Sequence, residues 1–183
     1  MTAFDRAWDL VKIVPNLMGS DESWYNRYQE LMGEPYEEDN PPEGLFSKPA
    51  KTESDPNPEG HIFINLPRVA MGTSFNMIND ADEIEDMEGF EEMLNASQDV
   101  SHPLFEQRFS KDFIRNYLHE LGHALTLDEV KNWMGERYYR NPIAATKRRD
   151  FETAWESLAH ILQDPHEPDW REDMKWHTGV GWG

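Results

Sequence analysis

Apolar residues recur at helical spacing in several separate stretches of the chain. Phe4, Trp8 and Val11 share one side of a segment that Pro15 closes, and Trp24, Tyr28 and Leu31 share one side of a second that runs to Gly33. Intervals of three and four residues stack side chains on one helix face, so two short helices are expected within residues 1–33. The pattern then lapses. Residues 34–60 hold Pro35, Pro41, Pro42, Pro49, Pro56 and Pro58 among many acids, a composition that buries too little surface to offset chain entropy, and an acidic loop or disordered insert is expected there. His61-Ile62-Phe63-Ile64-Asn65-Leu66 follows and is stopped by Pro67, the signature of one strand at or near a sheet edge.

Beyond the strand, Asp80, Asp82, Glu83, Glu85, Asp86, Glu88, Glu91 and Glu92 occur without a base, while Ile84, Met87, Met93 and Leu94 keep a loose helical stripe. An acidic amphipathic helix over 80–92 is the expectation. Calcium binding by this run is set aside, because it lacks the alternating oxygen ligands and turn glycine of an EF-hand loop. A helix from Lys111 carries Phe113, Ile114, Tyr117, Leu118, Leu121 and Leu125, and a later one carries Phe151, Trp155, Leu158 and Leu162. The whole reads as one mainly helical α+β domain with a small sheet, its bulk in residues 61–183.

Composition narrows the chemistry. The 183 residues contain 17 Lys+Arg and 36 Asp+Glu, a formal charge of −19, which repels a phosphate backbone, so no nucleic-acid partner is expected. No apolar run approaches the roughly 18 residues of a spanning helix, and Met1 to Val14 lacks the basic start and apolar run of a secretory signal. Cytoplasmic residence away from membranes is expected. The absence of cysteine removes disulfides, thiolate nucleophiles and Cys-based zinc fingers, so any metal must sit on His, Asp or Glu.

Such residues meet in Leu118-His119-Glu120-Leu121-Gly122-His123. On a helix, positions four apart lie one turn apart on one face, so His119 and His123 can aim two ring nitrogens at one ion about 2 Å from each. Glu120, at the edge of that face, can reach a water beside the ion without ligating it. With seven histidines in the chain, His-Glu-x-x-His arises by chance with a probability of roughly 0.03. The plain alternative is a pair of histidines satisfied by core hydrogen bonds or exposed to solvent. An open zinc site wants a third protein ligand, and Glu152, Glu156 and His160 form a column of i, i+4 neighbours on the later helix, any of which can meet the ion.

These residues resemble the gluzincins, zinc metallopeptidases that include thermolysin-like enzymes and compact bacterial and phage forms. In that family the His-Glu-x-x-His helix precedes a helix with a glutamate ligand, commonly in the pattern Glu-x-x-small-acid. Glu156-Ser-Leu-Ala159-His160 matches the glutamate and the small residue and has histidine in place of the acid. Glu152-Thr-Ala-Trp155-Glu156 matches the acid but puts Trp155 where the helices should approach closely. The resemblance spans Phe113 to about Leu162 and implies a zincin-like fold with Zn2+ on His119, His123 and Glu156. It also implies that Glu152 or His160 supports the histidines from outside the ligand set.

The implied activity is that of a zinc metalloendopeptidase acting on a peptide or protein substrate, with Glu120 as general base. The strand at His61–Leu66 would then align the substrate by backbone pairing. Oxyanion stabilisation would fall to one of Tyr138, Tyr139, His166 or His177. Two other readings compete: a catalytically inactive zincin-like structural or interaction protein, such as a phage or assembly component whose acidic surface binds a basic partner, and an acidic mimic of DNA. A basic island, Lys131 to Arg149 with Glu136 its single acid, is a loop paired with the Asp80 to Glu92 acids or with solvent, or a recognition site for an acidic substrate. The aromatic tail after Pro165 is expected to pack on the core.

Overall fold

The computed structural model of the chain describes residues 13–49 and 59–134, together with Glu156 and Ala159; of 128–134 only the backbone is described. Among them are three strands, β1 (Asn16–Met18), β2 (Gly44–Ser47) and β3 (His61–Asn65), and four helices. The helices are α1 (Asp21–Met32), α2 (Leu66–Ala81), α3 (Met87–Ser97) and α4 (Pro103–Met134). The fold is α+β and mainly helical, with a small mixed sheet, as the hydrophobic pattern implied. It divides into two compact units, one of Pro15–Tyr117 and one of Met1–Val14 with Leu118–Gly183.

In the first unit, the strand expected at or near a sheet edge lies in the middle of three. The sheet order is β1-β3-β2, with β1 parallel to β3 (Leu17 opposite Ile64) and β2 antiparallel to it (Leu45 opposite Phe63). Both sides of β3 are therefore hydrogen-bonded to neighbouring strands, which leaves it no free edge with which to align a peptide. Its five residues are all buried, which explains a nearly continuous apolar run in place of an alternating one. β2 itself falls inside the segment expected to be loop or disordered. Phe46 is buried there, and its pairing with β3 supplies the order that local composition does not.

Helix α1 forms where the Trp24, Tyr28 and Leu31 spacing places it, and its ends are set by local chemistry. Ser20 and Ser23 exchange side-chain and backbone hydrogen bonds in a capping box, and Gly33, at φ 78°, closes the C-terminus in a conformation that disfavours a side chain. Trp24, Met18 and Phe63 make a buried cluster flanked by Tyr28, Leu31 and Leu45, which joins α1 to the sheet. Asp21 in the first turn accepts hydrogen bonds from Arg68 Nη2 at 2.7 Å and Asn65 Nδ2 at 2.9 Å, tying the start of α1 to the start of α2. The expected helix around Phe4, Trp8 and Val11 lies outside the described residues.

Pro67 lies in the first turn of α2, which follows the strand directly. Asn65 caps that helix by accepting from Arg68 N, and a proline in the first turn loses no intrahelical hydrogen bond. The acidic run from Asp80 to Glu92, expected as one helix, is two helix ends and a link. α2 stops at Ala81, and α3 starts at Met87 behind Asp86, whose carboxylate accepts from Gly89 N at 2.9 Å. A good N-cap in mid-run breaks the stripe. Met77, Ala96 and Phe105 then unite α2, α3 and α4 in a second core cluster, with Met93 and Phe109 packed on it.

Candidate metal centre

The expected helix over Lys111 onwards is part of α4, which begins earlier, at Pro103. Leu121, Ala124 and Leu127 are buried along it, as are Glu120 and His123. The stripe read from sequence is correct at Leu121. Phe113, Tyr117, Leu118 and Leu125 are half-buried, and Ile114 is exposed, because the helix turns polar Asp112 inward, where its carboxylate accepts from Thr73 Oγ1 at 2.7 Å.

Within the second unit, His119 and His123 project one turn apart as their spacing requires, with Nε2 atoms 3.1 Å apart and ring planes at 87°. Glu156 meets both: its Oε2 is 3.1 Å from His119 Nε2 and its Oε1 is 3.3 Å from His123 Nε2. Among the described residues these three form the one group of His, Asp or Glu side chains whose ligand atoms gather within 4.8 Å. Burial works to raise the Glu156 carboxyl pKa, but hydrogen bonds from His119 and His123 outweigh it and hold the group below the ordinary carboxylate range. A carboxylate that stays charged between two imidazoles is the form that ligates a cation.

The donor set fits a particular kind of ion. Zinc lies about 2.0–2.2 Å from nitrogen and oxygen ligands in a tetrahedron, whose corners then stand about 3.3–3.6 Å apart. The two imidazole nitrogens are 3.1 Å apart and each has a different Glu156 oxygen at 3.1–3.3 Å, close to that edge length. Two imidazole nitrogens with a single carboxylate suit zinc or another transition ion and not calcium or magnesium, which take oxygen. Three protein ligands also leave a position open. Solvent reaches the site from the Glu156 side, where the side chain is 54% exposed, while His123 is almost wholly buried.

Glu120 follows His119 on the same turn, is buried to 6% exposure, and is not one of the three gathered ligand groups. Of the alternatives left open by sequence, Glu152 and His160 lie outside the described residues, as do the oxyanion candidates Tyr138, Tyr139, His166 and His177, the basic island and the tail. Glu156 is the described member of the column, and it meets the histidines.

One participant escaped the sequence reading. Gly122, between the two histidines, faces Ala159: a Cβ at Gly122 would stand 2.9 Å from Ala159 Cα. A glycine inside an apolar helix costs about 1 kcal/mol relative to alanine, and that local cost was the available signal of a close approach. No family model, curated protein or solved structure matches the chain.

Proposed function

We propose that the chain is a zinc-dependent metalloendopeptidase of gluzincin type, hydrolysing peptide bonds in a peptide or protein substrate. The observation that carries this reading is the meeting of Glu156 with His119 and His123, ligand atoms within 4.8 Å of one another, the histidines on a helix that also supplies Glu120. Zinc, when bound, supplies Lewis-acid polarisation of a carbonyl and lowers the pKa of water toward neutrality.

The chain's own residues do the rest. His119 and His123 would hold the ion as neutral imidazoles through Nε2, and Glu156 would add one negative charge, leaving the centre a net positive charge. The carboxylate of Glu120 accepts a proton from the water that attacks the carbonyl carbon and delivers it to the departing amine nitrogen as the C–N bond breaks. Burial of Glu120 keeps bulk water from competing for that proton.

Protein purified without chelator should carry about one zinc per chain, and His119→Ala should lose it. Glu120→Gln should keep the zinc and lose peptide hydrolysis by about 10²–10⁴-fold, the usual contribution of a general base. Zinc binding with no hydrolysis in the wild type would favour the inactive scaffold, and absence of zinc would overturn the reading.

A further inference from the structure

Glu156 lies 33 positions beyond His123 in sequence, so tertiary packing must fix its distance from the imidazoles. Ala159 lies three residues on, on the same helical face as Glu156. It is fully buried, and both residues are helical. Opposite it stands Gly122, itself buried, where an added Cβ would come to 2.9 Å from Ala159 Cα, 3.3 Å from its carbonyl oxygen and 3.4 Å from its Cβ. The nearest of these is a backbone atom, so no side-chain rotation relieves the contact.

We infer that Gly122 and Ala159 are positioning residues: their backbone-to-backbone contact sets the separation at which the Glu156 carboxylate reaches His119 and His123. The inference rests on the metal centre proposed above and adds to it the element that gauges the third ligand. Magnitudes decide the point. Restoring ordinary van der Waals distance, 3.4 Å or more, around a new Cβ requires the later helix to retreat by at least half an ångström. Coordination tolerates only about 0.2 Å. Rotation of Glu156 does not recover the loss, because its two oxygens face different histidines, Oε2 toward His119 and Oε1 toward His123.

The test compares wild type, Gly122→Ala and Glu156→Gln for zinc affinity by chelator competition and, after loading with Co2+, for the visible absorption that reports coordination. Gly122→Ala should weaken zinc about 10–100-fold, as loss of a group that orients a ligand does. Its cobalt spectrum should shift toward that of Glu156→Gln, a signature that a merely structural loss of stability would not produce. Ala159→Ser adds a single atom to the same contact and serves if Gly122→Ala does not fold; it should move affinity and spectrum in the same direction by a smaller factor. A folded variant with wild-type affinity and spectrum overturns the positioning role while leaving the metal centre intact. A wild type that binds no zinc overturns both.

Discussion

At the scale of single residues, charge and burial are in tension at two carboxylates, with opposite outcomes. At Glu156 the imidazoles win and the group stays charged. At Glu43 burial dominates and raises the carboxyl pKa, although Asn116 Nδ2 donates to its Oε2 at 3.1 Å; the nearby Asp112 charge pushes the same way. A carboxyl raised in the folded state binds its proton more tightly folded than unfolded. Glu43 therefore subtracts no stability below the ordinary carboxylate pKa, and its penalty grows as pH rises through that range and levels off above the folded value. Glu43→Gln keeps an oxygen to accept from Asn116 and removes the charge. Urea unfolding should show the variant more stable than wild type at pH 7, with the difference shrinking toward pH 4. A difference independent of pH would refute the assignment. At the same scale the approach of His119 to His123 was legible from spacing alone, whereas that of Glu156 needed the family pattern because three polar residues share its column. Gly122 stayed hidden because its partner is 37 positions away and sequence spacing carries no information on which backbones touch.

At the scale of elements, legibility followed how local the determinants are. α1 was readable because stripe, cap and terminating glycine all lie within fourteen residues, Ser20 to Gly33. β1 and β2 were not, since strands of three and four residues carry almost no periodic signal and exist by pairing with β3. β3 was recognised but misplaced, because a short apolar run does not say whether one or two neighbours flank it. α2 was missed for a different reason: Pro67 ends a strand and begins a helix with equal ease, and Asn65, the cap that decides between them, was read as the strand's own residue. If caps have this weight, the capping box of α1 should be measurable. Ser20 accepts from Ser23 N at 3.1 Å and Ser23 Oγ accepts from Ser20 N at 3.1 Å. Ser20→Ala should cost about 1 kcal/mol in denaturant unfolding, and Ser20→Asp, which still accepts from the helix N-terminus, should recover most of it. Equal stability of the alanine and aspartate variants would remove the cap from the account.

For the whole molecule, the charge of −19 is unevenly spread, and the fold makes that imbalance matter. From Val69 to Gln107 there is no Lys or Arg. In that span Asp82, Glu83, Glu85, Asp86, Glu88, Glu91 and Glu92 are all exposed, along the α2–α3 link and the first half of α3. Asp86 is offset by the helix N-terminus it caps, and Asp80, just before the link, pairs with Arg108 at 3.0 Å. Among the described residues the others have no base beside them in sequence, and such close neighbours repel one another in solvent at low salt. Salt should therefore stabilise this protein, opposite to what surface ion pairs would give. Raising ionic strength from about 0.01 M to about 0.15 M shortens the Debye length from roughly 30 Å to roughly 8 Å and should raise Tm. Glu88 sits in the first turn of α3, where the helix dipole favours it, whereas Glu91 and Glu92 lie further along and gain less. Glu91→Gln with Glu92→Gln should consequently raise Tm at low salt and flatten its salt dependence, and Glu88→Gln should do so less. If chloride and sulfate at equal ionic strength raise Tm by different amounts and the double variant leaves both slopes unchanged, ion exclusion and not charge repulsion would be responsible.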